Sequence, residues 1–220
     1  MSQERFTMQH RSIGRAAIWI YLALSLVYAI TTTLGLLSLE SPLDSIRDPY
    51  FTMMELLIIL IAPVMVVIMA SIHAYASAET KVYSLSSLAF MVILAGITSS
   101  VHFIIITVRP QFEMAGITGE PLFLSFTWPS MAYAADILAW DVFFALSLIF
   151  AAPVFRGGGL EKTIRYLLLA SGVLSMLGLI GVPLANMNVR NIGVVGYALV
   201  APVAFLFIAL LFNRTKPQAE

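Results

Sequence analysis

The sequence predicts an all-α integral membrane protein, a bundle of six transmembrane helices with both termini in the cytoplasm. Three observations predict it. Of 220 residues, 60% are hydrophobic and only 11% charged, with a mean hydropathy of +0.94. A soluble domain carries about 25% charged residues, and burying this much apolar surface in so short a chain leaves too little polar surface for a wettable exterior. The apolar residues also gather into six runs near or above the roughly 20 residues that cross a hydrocarbon core about 30 Å thick. Finally, Lys and Arg are shared unevenly between the connections.

The runs cover residues 16–37, 51–75, 83–108, 130–155, 164–184 and 192–212, so that 16–212 is one transmembrane domain. Segment 1–15 is polar, with Glu4, Arg5, Arg11 and Arg15, and 213–220 is a short tail. The first apolar run is too long for a signal-peptide core and has no convincing small-residue cleavage site before Glu40; a retained helix and no cleaved signal peptide are expected. Ser41-Pro42 and Asp48-Pro49 break the chain before the second helix, and Arg109-Pro110 is expected to end the third. The longest connection, 109–129, contains Gly116, Gly119, Pro121 and Pro129. Its second half, 122–128, is apolar enough to lie in the membrane interface with Trp128 at headgroup depth; folding back as a lid is the less favoured reading. Gly157, Gly158 and Gly159 form a flexible link before the fifth helix. The even-numbered helices each carry Ala-Pro-Val. Pro63 and Pro202 are expected to kink their helices near mid-span, with Pro153 near an end.

An N-terminus in the cytoplasm places Arg5, Arg11, Arg15, Lys81, Arg156, Lys162, Arg165, Arg214 and Lys216 inside, and only Arg47, Arg109 and Arg190 outside. Nine against three in short loops is a positive-inside signal. A multi-pass protein of the cell membrane is expected. Small residues predict close helix packing: Ser171, Ser175 and Gly178 with Gly172 and Gly181 on the fifth helix, and Ala95/Ser99 and Gly96/Ser100 on the third.

Four ionisable residues, Glu55, His102, Asp136 and Asp141, lie inside the apolar runs. A charge at the bilayer centre costs roughly 2.5–3.5 kcal/mol on insertion scales, so such groups mark functional positions. Counted from the helix ends at 1.5 Å per residue, Glu55, His102 and Asp136 share one layer in the outer half, with Asp141 just below. Tyr133, Asp136 and Trp140 share one face of the fourth helix, whereas Asp141 stands about 140° from Asp136 on an ideal helix. Thr98, Ser99, His102 and Arg109 form a polar stripe on the third helix, and Arg109 suits a counter-charge for Glu55 or Asp136. Asn186 and Asn188 end the fifth helix, with Arg190 in the following loop. Glu55 also fits snorkelling to the interface, and His102 a structural hydrogen bond between helices. Aspartate is too short to snorkel.

These residues predict a pocket in the outer half of the bundle that binds or translocates a small solute, cation or proton. Its ligand- or proton-binding residues are Glu55, His102, Asp136, Asp141, Arg109, Tyr133 and Trp140. The alternatives are a membrane-embedded enzyme using a histidine–carboxylate site, with or without a metal, or a non-catalytic subunit or sensor. No cofactor is expected. With no cysteine there is no thiolate chemistry; His73 and His102 lie near opposite ends of their spans, against a bis-histidine haem; and Lys81, Lys162 and Lys216 all fall in loops or tails, against a retinal Schiff base. No Gly-x-Ser-x-Gly turn or P-loop occurs. Zero formal net charge gives no nucleic-acid surface. The expected surroundings are the lipid bilayer, with a small-molecule or cation ligand and a homo-oligomer or membrane partner as further associations.

Overall fold

A backbone in hydrocarbon must satisfy its own hydrogen bonds, and a chain with six apolar runs does so by winding each into a helix. In the computed structural model, residues 6–41 and 44–215 are described, apart from the side chains of Glu113 and Glu120. Glu4, Arg5, Pro42 and Lys216, used in the sequence reading, lie outside the described residues. The helices are α1 (Met8–Leu37), α2 (Tyr50–Tyr75), α3 (Lys81–Met114), the short α4 (Glu120–Leu124), α5 (Met131–Val154), α6 (Leu160–Gly181) and α7 (Met187–Arg214). All but α4 are long and apolar enough to span a membrane, and there is no strand among the described residues.

Three boundaries differ from those predicted. Thr7 caps α1, accepting from the His10 amide while His10 Nδ1 accepts from the Thr7 amide, so Arg11 and Arg15 belong to the helix rather than to a polar leader. α3 does not stop at Arg109-Pro110 but continues to Met114; a transmembrane helix tolerates an interior proline where neighbouring groups satisfy the freed carbonyl. Asn186 accepts hydrogen bonds from the amides of Asn188 and Val189, so α7 starts at Met187 and Arg190 sits in its first turn, not in a loop.

Each spanning helix packs on the next in sequence, and α7 returns to α1, so the six close into a ring of alternating direction. Core residues such as Met65, Met69, Met91, Leu94, Phe144 and Leu148 fill the ring toward the end that carries both termini. There Phe6, Tyr75, Phe155 and Phe212 form an aromatic cluster with neighbouring centroids 5.2–6.0 Å apart. Large apolar side chains such as Trp19, Leu26, Leu60, Phe103 and Leu199 point outward, as in a multi-pass membrane protein.

Small residues act on α6 but not throughout α3. Ser171 donates to the Gly196 carbonyl (2.8 Å), and a Cβ on Gly178 would lie 2.9 Å from the Gly193 amide nitrogen, so α6 and α7 are in backbone contact. On α3, by contrast, nothing lies within 4 Å of the space above Gly96, and Ser100 bonds its own helix at the Gly96 carbonyl. The Gly96/Ser100 pair is therefore not a packing face.

Two stretches wind as π-helix, Leu138–Phe144 in α5 and Val195–Val200 in α7. The second precedes Pro202, whose ring excludes the carbonyl four residues back and whose nitrogen has no proton to donate. The first changes which way Asp141 points.

Candidate functional site

At the ring's other end, away from the termini, the helices diverge around a cavity of about 980 Å³. Its wall includes three arginines (Arg47, Arg109, Arg190), four carboxylates (Asp44, Asp48, Glu55, Asp136) and His102.

The centre of this wall is a histidine held between two acids. α2 presents Glu55, α3 His102 and α5 Asp136, and all three are buried. His102 Nδ1 lies 2.7 Å from Glu55 Oε2, and His102 Nε2 lies 3.5 Å from Asp136 Oδ1. Asp136 Oδ1 also accepts from Thr98 Oγ1 (3.1 Å), and that hydroxyl accepts from Trp140 Nε1 (3.2 Å). The row therefore runs Glu55, His102, Asp136, Thr98, Trp140 across three helices. Thr98 and His102 are four residues apart on α3, and so share a face.

A neutral imidazole donates from one nitrogen and accepts at the other; with Glu55 bonded at Nδ1, a proton could pass through the ring to Asp136 once the 3.5 Å gap at the unpartnered Nε2 closes to hydrogen-bonding distance. This arrangement differs from that of a metal site, in which several donors point at one ion. Here Glu55 holds Nδ1 while Nε2 faces Asp136 without a hydrogen bond, and no group of three His, Asp or Glu among the described residues is arranged to hold a metal ion.

Asp141 belongs to a second pair. Its carboxylate is fully buried and accepts from Arg190 Nε at 3.0 Å. The π-helical stretch in which Asp141 sits widens the turn and so shifts its direction from that of an ideal α-helix. Asp136 meets α3 while Asp141 meets α7. Glycines allow this approach. A Cβ on Gly193 would lie 2.2 Å from Asp141 Oδ1, and one on Gly181 2.4 Å from the Arg190 amide nitrogen.

Of the remaining predicted residues, Tyr133 lies in the cavity wall and stands under Arg190, whose Cζ is 5.3 Å from its ring centroid. Trp140 is buried, donates to Thr98 and is not part of the cavity wall. Arg109 lines the cavity with its guanidinium 5.3 Å from the Phe51 centroid. The connection before α5 does not simply lie flat in an interface. Ser125, Phe126 and Thr127 line the cavity, and the Phe126 ring is 5.1 Å from that of His102. Leu122 and Phe123 of the same segment point outward.

Sequence reasoning placed Arg190 in a loop and left it out of the binding residues, and it missed Tyr197, whose ring centroid lies 5.7 Å from the Arg190 guanidinium. The signal for Arg190 was Asn186, a preferred helix N-cap four residues before it. No family model, no curated protein and no solved structure matches this chain.

Proposed function

We propose that this multi-pass membrane protein binds a small solute in the cavity and couples its binding or passage to proton exchange at Glu55, His102 and Asp136. The observation that carries the reading is a buried histidine with a carboxylate at each ring nitrogen, on the wall of a solute-sized cavity. Ligand cavities run to about 300–1,000 Å³, so a volume of about 980 Å³ is more than a bare cation or proton path requires. The distribution of Lys and Arg supports a cavity facing away from the cytoplasm in the cell membrane, where a solute would arrive from outside.

The test is proton movement in proteoliposomes containing a trapped pH dye, driven by inward gradients of small amino acids, carboxylates or amines. We expect the wild type to move protons with at least one class. His102→Gln and Asp136→Asn should lose at least nine-tenths of that movement while eluting as folded protein. Absence of proton movement in the wild type with every class, or unchanged movement in both variants, would overturn the reading.

A further inference from the structure

Arg190 has capacity that its contacts do not use. It is 4% exposed and lines the cavity. Its Nε donates to Asp141, the faces of Tyr133 and Tyr197 flank its guanidinium, and its Nη2 is buried without a hydrogen-bond partner. A guanidinium has five N–H donors in a rigid fork that matches a carboxylate. Asp141 holds that fork at one edge and fixes its direction. The same cavity wall presents Asp136 and Glu55, buried acids able to receive a cationic group.

We propose that the solute is a small zwitterion of the amino-acid class, its carboxylate anchored by Arg190 and its ammonium by Asp136 and Glu55. This deepens the solute-binding reading above and rests on it. The charges of the wall decide between solute classes: with three arginines against four carboxylates and one histidine, neither sign dominates. A plain carboxylate would answer Arg190 but confront Asp136 and Glu55. A plain amine would answer the acids and leave the arginine fork unused. A solute bearing both groups meets both parts, and in a site built to hydrogen-bond a group, an analogue lacking it binds far more weakly.

Titration calorimetry on the full-length protein in detergent micelles tests this with glycine, alanine, β-alanine and 4-aminobutyrate, against acetate, butyrate, methylamine and butylamine. At least one amino acid should bind at least tenfold more tightly than the acid and the amine of matched length. Arg190→Gln should weaken it at least tenfold. Because Arg190→Gln disturbs a buried pair, Asp136→Asn provides a second readout: it should weaken the amino acid and narrow its advantage over the plain carboxylate. Tight binding of an amine or a carboxylate alone would overturn the zwitterion while leaving solute binding intact. Binding of no amino acid in the panel, or wild-type affinity in both variants, would also overturn it, whatever the proton-movement assay shows.

Discussion

The cavity and the apolar layer beneath it are held by different forces. Around the cavity, helices are joined through charged and polar groups: α2, α3 and α5 through Glu55, His102 and Asp136, and α5 and α7 through Asp141 and Arg190. In the layer beneath, they are joined by packing, with Met91 and Leu94 of α3 fully buried among Met65, Phe144 and Leu148; polar contacts between helices return nearer the termini, where Tyr75 donates to Glu161 and His73 Nδ1 lies 2.8 Å from Ser84 Oγ. On α3 the polar row ends at Thr98, and the next buried polar side chain toward the termini is Ser87, eleven residues away, or about 16 Å at 1.5 Å per residue. In lipid, packing and interhelical hydrogen bonds both hold helices together, and here the packed layer seals the polar row of the cavity from the polar contacts near the termini.

The largest expected effect tests the charged groups around the cavity. Asp141→Ala leaves a buried guanidinium without its partner, which costs about 3–5 kcal/mol. Arg190→Ala should cost a similar amount, and the double variant much less than the sum, as expected of one pair. Unfolding in mixed micelles with increasing SDS measures all three. Additive losses, or an Asp141→Ala loss below about 1 kcal/mol, would mean that the pair does not tie α5 to α7.

A second substitution examines how that pair is seated. Gly193→Ala forces a methyl group against Asp141 Oδ1, where its Cβ would lie 2.2 Å away. Overpacking of this kind costs about 1–3 kcal/mol. Gly96→Ala is the control: nothing lies within 4 Å of that position on α3, and replacing a mid-helix glycine by alanine favours the helix by up to about 1 kcal/mol. The same unfolding assay should rank Gly96→Ala at or above the wild type and Gly193→Ala below it. The reverse order would show that α5 and α7 can separate without cost.

Depth was legible in the sequence, and direction only in part. Rise per residue placed Glu55, His102 and Asp136 at one level, because a fixed 1.5 Å step counted from a helix end needs only a boundary correct to within a turn. Direction depends on each residue's rotation: seven residues of π-helix in α5 alter the spacing that an ideal helix puts between Asp136 and Asp141, yet the two still face different helices, α3 and α7. An apolar threshold likewise starts the last helix at residue 192, whereas Asn186 starts it at Met187 and carries Arg190 inside. Buried polar first turns are invisible to hydropathy. The consequence is a changed expectation for Asp141. Counting Asp141 among the binding residues implied a loss of binding on its substitution; its pairing with Arg190 assigns it a loss of stability as well.

The smallest expected effect tests the packed layer. Ser87 Oγ donates to Met69 Sδ at 3.4 Å and lies 3.3 Å from Ser147 Oγ, which itself donates to the Ser87 carbonyl at 2.9 Å. Ser87→Ala removes the first two contacts but keeps the third, since that acceptor is backbone. Interhelical hydrogen bonds of membrane proteins average about 0.6 kcal/mol, and the loss in SDS unfolding should be of that size. Proton movement in proteoliposomes should remain at the wild-type rate, because the hydroxyls hold α3 to α5 and lie beyond Met91 and Leu94 from the polar row. A rate reduced severalfold with stability unchanged would instead make Ser87 part of a proton route. The packed layer would then be a continuation of the polar row rather than its seal.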